Sequence, residues 1–336
     1  MRTLVYRGPR VLTLEQAEVP SPAPGEIVVR VEAVGICGSE LEGYLGHSSV
    51  RVPPLVMGHE FAGEVAFRAS DADRFDIGAK VVVNPLLACG ACDRCREGRP
   101  NICRDRRIVG IHRPGAFAEY VAVPEACAIA VPQAMDMATA SLAEPLAVCI
   151  HAAKLGLAPF GDVLVFGAGP IGLLTVQAAR RMGARRILAV DRQPARLAFA
   201  ERLGAAVSTP DLLDSRYREV FGLAGTDTVI DCVGVESTRQ QALALVNPGG
   251  KIVLVGLGHD RTTLPLNHAV RQEVSLIGSY TYTAADFDQA VALLASGAVT
   301  REGWTALCGL GQASESFATL ADGTNPNGKI IVDPRL

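Results

Sequence analysis

Two groups of residues in this 336-residue chain have the types and spacing for metal chemistry. The first lies in CGACDRCREGRPNIC, where Cys89, Cys92, Cys95 and Cys103 follow the pattern C-x2-C-x2-C-x7-C. Short C-x2-C steps let a turn aim several thiolates at one tetrahedral ion, and four such ligands close a structural zinc site. An iron–sulfur cluster also takes four cysteines, but its usual run has three residues and a proline around the last ligand. A disulfide-bonded loop needs an oxidising compartment, and nine cysteines cannot all pair within one chain. A closed four-thiolate site folds a loop; it performs no reaction of its own. The second group is sparser. GICGSE carries Cys37 and Ser39, and GHEFAGEV carries His59 and Glu60. Alone, Cys37 reads as a small buried hydrophobe and His59 as a structural histidine. Glycines on both sides of a polar His-Glu pair in an apolar segment, however, allow tight turns around that pair. A catalytic zinc takes about three protein ligands and keeps one position open, and Cys, His and carboxylate are suitable donors.

These side chains must be positioned by the elements around them. Up to about Val131 the sequence shows short β-type runs (IVVRVEAV, EVAF, AKVVVN, AEYVAV) punctuated by Pro and Gly, which predicts a compact β unit. From about residue 140 helical and strand patterns alternate. SLAEPLAVCIHAAKLG and LLTVQAARRMG are helical, whereas VLVFG, ILAVD, TVIDCVG, KIVLVG and SLIGS are strands. Such alternation predicts a parallel, doubly wound sheet. At its first strand–helix junction stands VLVFGAGPIGLL, with Gly167, Gly169 and Gly172 spaced G-x-G-x-x-G around Pro170 and Ile171. Asp191 follows nineteen residues after the last glycine, at the end of ILAVD. A lone glycine string is weak evidence, but between an apolar strand and a helix it is a dinucleotide fingerprint. The glycines permit close backbone approach while the helix N-terminus supports a pyrophosphate.

Composition narrows the class further. The chain is 49% hydrophobic with a formal net charge of −3, so no basic surplus points to nucleic acid. No apolar run reaches the length of a membrane span, and MRTLVYRGPRVLTLEQ contains no apolar signal segment. The expectation is a soluble cytoplasmic protein with reduced thiols.

Taken together, these motifs resemble the zinc-dependent medium-chain dehydrogenases of the alcohol dehydrogenase superfamily, along the whole chain. The resemblance implies an α/β protein with an N-terminal GroES-like β domain (1–147) carrying a structural-zinc lobe (about 85–106). A Rossmann domain (148–285) and a C-terminal return to the catalytic domain (286–336) would follow. GICGSE and GHEFAGEV look like the catalytic-zinc motifs, which assigns Cys37, His59 and Glu60. AEPLAVCIHAA looks like the sorbitol, threonine and sugar-phosphate dehydrogenase branch, which adds Glu144 as a carboxylate at the same zinc, in competition with Glu60. Two zinc ions per chain are implied, one catalytic and one structural. The implied reaction is hydride transfer from a secondary alcohol of a sugar, polyol or cyclitol to a nicotinamide cofactor, with Ser39 at the inner end of a proton relay. Members of the family often carry an aspartate and then a histidine where this chain has Glu40 and Glu42, so the outer relay residue is open; His47 is one candidate.

Asp191 predicts NAD, since a carboxylate there accepts hydrogen bonds from the adenosine ribose. Arg192 and Arg196 are the counter-argument, because arginines can accommodate a 2′-phosphate. SLIGSYTY is a candidate edge strand for a homodimer or homotetramer. A zinc-independent quinone or enoyl reductase, and a non-catalytic nucleotide-binding protein, are the competing readings.

Overall fold

The computed structural model describes residues 1–325 and 327–336. It resolves into two compact units, one of residues 1–144 with 287–336 and the other of residues 145–286.

The first unit is built on short strands: β1 (Arg2–Gly8), β2 (Val11–Gln16), β3 (Glu26–Gly35), β4 (Leu55–Val56), β5 (Glu60–Arg68), β6 (Lys80–Val83), β7 (Leu86–Leu87), β8 (Arg107–Ile108), β9 (Tyr120–Pro124) and β10 (Ala128–Ala130). The β-type runs read from the sequence become β3, β5, β6 and β9. In β3 the valines at 28, 29, 31 and 34 are fully buried, so this strand is covered on both faces. The second unit supplies β11 (Asp162–Phe166), β12 (Arg186–Val190), β13 (Ala206–Ser208), β14 (Thr226–Asp231), β15 (Val246–Leu254) and β16 (Ser275–Gly278). The returning segment adds β17 (Thr305–Gly309) and β18 (Lys329–Asp333) to the first unit.

The main sheet of the first unit runs β10-β6-β5-β3-β18-β17, with β9 also paired to β3. Its register decides where the chemistry sits. Gly35 at the end of β3 pairs with Glu60 at the start of β5, and β18 pairs antiparallel to the same end of β3 through Ile331 and Gly35. The exit of β3 leads into Cys37 and the entries of β5 and β18 bring Glu60 and Lys329, so three strand ends converge. Gly35 is required for this convergence. A β-carbon there would come within 2.3 Å of the Glu60 carboxylate and 2.8 Å of the Lys329 side chain. Phe61, Phe117, Phe317, Met57 and Val29, Val31, Val34, Val81 and Val83 belong to one apolar core.

The second unit is a six-stranded parallel sheet in the order β13-β12-β11-β14-β15-β16. Every residue of β11 is buried, as its unbroken apolar run predicts for a central parallel strand. Reversal of strand order about β11 and β14 gives the doubly wound topology, with the nucleotide crevice expected at the carboxyl end of β11. β16 closes one edge, and most of its residues are exposed.

Candidate metal centres and nucleotide loop

The four-cysteine loop is organised by its own backbone. Cys92 caps the short helix Asp93–Arg96, the Cys92 N–H donates to Cys89 Sγ at 3.3 Å, and the Cys89 N–H donates to Cys103 Sγ at 3.4 Å. Ion pairs from Arg104 to Asp93 and from Arg94 to Glu97 brace the outside. Sulfur–sulfur separations of 3.9 Å for Cys89–Cys95, 3.6 Å for Cys92–Cys95 and 3.8 Å for Cys92–Cys103 define the centre. A tetrahedron with zinc–sulfur bonds of about 2.3 Å has edges of about 3.8 Å, so the donor set fits that ion in both chemistry and size. Crowding already splits the thiols. Backbone N–H groups of Cys95 and Arg104 lower Cys92 to about 6, while burial and the adjacent Cys92 and Cys103 push Cys95 up to about 12. Four thiols this close cannot all ionise without a cation.

The second donor set is Cys37, His59 and Glu60, whose ligand atoms lie within 4.8 Å of one another. His59 and Glu60 are buried and Cys37 is partly so. Cys37 caps the helix Gly38–Tyr44, which turns Glu40 inward to complete burial. Glu40 accepts from the Cys37 N–H at 3.0 Å and the Gly58 N–H at 2.8 Å, and its carboxylate contacts His59 Nδ1 at 2.8 Å. That last contact fixes the imidazole through Nδ1 and leaves Nε2 as the nitrogen that would meet a metal. Burial works against charge on His59, but Glu40 and Cys37 outweigh it and raise the imidazole well above its ordinary value. Burial also opposes charge on Lys329, and Glu60 with Cys37 overcomes it, so the ammonium stays protonated in a fully buried ion pair with Glu60. Ser39 donates to Cys37 Sγ at 3.3 Å and accepts from Arg51 Nη2 at 2.9 Å.

Three of the four residues assigned to the catalytic zinc therefore come together. Glu144 is buried in the first turn of the helix Ala143–Gly156, but the mutually close set comprises the other three. His47 does not reach Ser39: it is exposed and paired with Glu42 at 3.0 Å. Sequence reasoning passed over Glu40 as a buried anchor, Arg51 and Lys329. A lysine opening the apolar run KIIVD, and an arginine inside VRVPP, were the available signals.

In the second unit Gly167 has φ of +90° and Gly169 caps the helix Pro170–Arg181, with Pro170 at its first position. A β-carbon on Gly172 would lie 1.8 Å from the Gly167 carbonyl oxygen, so only glycine lets helix and turn approach this closely. Ile171 lies in the first turn of the same helix. Asp191, just beyond β12, accepts from the Ala168 N–H and the Gln193 N–H, both at 2.8 Å. Its carboxylate is thereby locked beside the glycine turn. Arg196 Nη1 stands 3.9 Å from that carboxylate, and Arg192 is exposed.

A six-stranded doubly wound sheet with a glycine-rich first turn, and a separate β unit holding two metal-type donor sets, define a zinc-binding, nucleotide-dependent oxidoreductase. Residues 23–133 match the alcohol dehydrogenase GroES-like domain, and residues 170–296 match the zinc-binding dehydrogenase domain. Sorbitol dehydrogenase of Bacillus subtilis (strain 168) is 34% identical over 89% of this chain and 87% of its own length. L-galactonate-5-dehydrogenase of Escherichia coli (strain K12) is 34% identical over 90% of this chain and 89% of its own. A zinc-binding dehydrogenase from Sinorhizobium meliloti 1021, solved bound to NADP, superposes with a TM-score of 0.91 at 31% identity, covering 99% of both chains. The chain belongs to the zinc-dependent medium-chain alcohol dehydrogenase family, in its sorbitol-like branch. It is an enzyme that works on small-molecule alcohols. Among the described residues no helix is long and apolar enough to cross a membrane.

Proposed function

We propose that the protein oxidises a secondary alcohol of a sugar, polyol, cyclitol or related intermediate, with NAD as acceptor and two zinc ions per chain. The reading rests on one observation above all: the contrast between four thiols that close a tetrahedron and a three-donor set that leaves a position over. Cys89, Cys92, Cys95 and Cys103 would hold the structural ion. Cys37, His59 and Glu60 would hold the catalytic one, with Glu144 as a carboxylate competing with Glu60. Zinc held there supplies Lewis-acid polarisation of an alcohol oxygen.

The remaining work falls to the chain. Ser39 Oγ would take the substrate hydroxyl proton and release its own toward water, and a nicotinamide held by the second unit would supply the acceptor for the carbinol hydride. Glu40 keeps His59 in one tautomer, and Lys329 compensates the charge of Glu60. The turn from Gly167 to Gly172 would hold the cofactor's pyrophosphate, and Asp191 would accept from its adenosine ribose hydroxyls. Relatives named for sorbitol and L-galactonate support the sugar-type substrate. The exposed strand β16, with Leu276 at 38% exposure, is the surface proposed for a homodimer or homotetramer. Nine free thiols fit a cytoplasmic location.

The test is reduction of NAD by a panel of polyols, cyclitols, aldonates and sugar phosphates. Turnover of at least one member, abolished in Cys37→Ser, is expected. Binding of NAD with no turnover of any alcohol would favour a non-catalytic nucleotide binder. Zinc-independent reduction of a quinone or enoyl compound would favour the other branch of the fold.

A further inference from the structure

Arg51 is the least explained charge in the first unit. It is 6% exposed and sits in the loop between the helix Gly38–Tyr44 and β4. Its stem lies over Gly43, where a β-carbon would come within 2.4 Å of Arg51 Cδ, so the helix carries a glycine where the arginine crosses it. A guanidinium has five donors in a rigid fork. One of them, on Nη2, is spent on Ser39 Oγ at 2.9 Å; Nε is buried with no acceptor.

The natural neutralising partner is committed elsewhere. Glu40 is close enough to feel the charge of Arg51, but its oxygens serve the Cys37 and Gly58 N–H groups and His59. Among the described residues no carboxylate lies within ion-pair distance of Arg51. Burying a cation without a hydrogen-bonded counter-charge is costly, and a protein keeps one where an anion arrives to complete it. This cation is one hydrogen bond from Ser39, which itself contacts Cys37. The anion's place is therefore beside the reacting alcohol.

We propose that Arg51 is a specificity residue that binds a terminal oxyanion, a carboxylate or a phosphate, on the polyol chain being oxidised. The inference rests on the function proposed above and narrows its substrate class to aldonates and polyol phosphates over neutral alditols. Arginine suits this task better than lysine because its fork meets either oxyanion in two parallel hydrogen bonds. Ser39 is fixed by the same side chain, so binding of the acid group and placement of the hydroxyl acceptor are coupled.

The experiment uses the zinc-loaded, full-length protein and matched triplets such as D-gluconate, D-glucitol and D-glucitol 6-phosphate, extended to other hexose configurations. The expected result is kcat/KM at least tenfold higher for one charged member than for its neutral partner, with the better member identifying carboxylate or phosphate. In Arg51→Met that ratio falls to about one, mainly through KM, and Arg51→Lys recovers part of it. Calorimetric titration with the same charged compounds gives a readout without turnover, and affinity should fall at least tenfold in Arg51→Met. Where Arg51→Met does not fold, Arg51→Lys carries the comparison, with a loss of bidentate binding of several-fold. Neutral alditols used as well as their charged partners, or charged compounds bound equally by wild type and variant, overturn the role of Arg51 and leave the dehydrogenase reading intact. No turnover of any member, with charged ligands still bound through Arg51, would instead overturn the dehydrogenase reading.

Discussion

The four-cysteine loop and the Cys37 cluster contain the same kind of donor and do opposite things with it. In the loop, all four ligands come from fifteen consecutive residues, and backbone N–H groups from within the loop hold the sulfurs. In the cluster, the ligands come from the ends of separate strands, and their orientation depends on Glu40, Lys329 and Arg51 around them. A local site is a staple that needs little from the rest of the fold. A site assembled from strand ends is only as accurate as the sheet and its buried charges, and this is what lets it leave a position for substrate.

The sharpest way to break this contrast is paired substitution. Cys37→Ser and His59→Ala should lower kcat by more than about a thousandfold, which corresponds to roughly 4 kcal/mol of lost transition-state stabilisation. The melting temperature of Cys37→Ser should stay within a few degrees of wild type. Cys92→Ser should do the reverse, lowering the melting temperature or the yield of folded protein while the folded fraction keeps its turnover. An active-site profile for Cys92→Ser, or unfolding in Cys37→Ser, would erase the distinction.

The next effect, on stability rather than turnover, is expected at the buried pair. Lys329→Met strands the buried Glu60 carboxylate without its counter-charge, and removal of one member of a buried ion pair costs about 3–5 kcal/mol. Denaturant unfolding should register most of that loss, and Lys329→Met combined with Glu60→Gln should regain part of it. A Lys329→Met protein as stable as wild type would show that the pair does not hold the strand ends together.

The smallest effect concerns the nucleotide. Asp191→Ser should reduce the preference for NAD over NADP by about 10–100-fold, since each hydrogen bond to a charged group contributes roughly 1.5–3 kcal/mol. Arg192 and Arg196 would then be free to favour a 2′-phosphate. Wild-type enzyme equally efficient with NADP, the cofactor held by the Sinorhizobium relative, would transfer the decision from Asp191 to the arginines.

What the sequence made legible follows the same division between local and assembled features. The C-x2-C steps and the G-x-G-x-x-G turn are readable because ligand spacing and backbone freedom lie within one short segment. The valine-rich run exposed β3, and the apolar run VLVF exposed β11 as a buried strand. Long-range partners left weaker traces. Lys329 meets Glu60 only because β18 returns to β3 from the far end of the chain, and nothing in KIIVD announces that pairing. Arg51 leaves only its place inside VRVPP as a trace, and its burial is seen only in the fold. Glu40 reads as a departure from an aspartate motif, yet its longer side chain reaches Cys37, Gly58 and His59 at once. His47, a candidate for the outer relay, is drawn to Glu42 on the surface because an exposed carboxylate five residues away is its nearest partner.

The central claim is that one metal ion belongs to the staple and another to the chemistry, and metal content tests it most directly. Elemental analysis of the purified chain should give two zinc ions in wild type and one in Cys37→Ser, with the variant still folded and able to bind NAD. One zinc in wild type, unchanged in Cys37→Ser, would contradict the account.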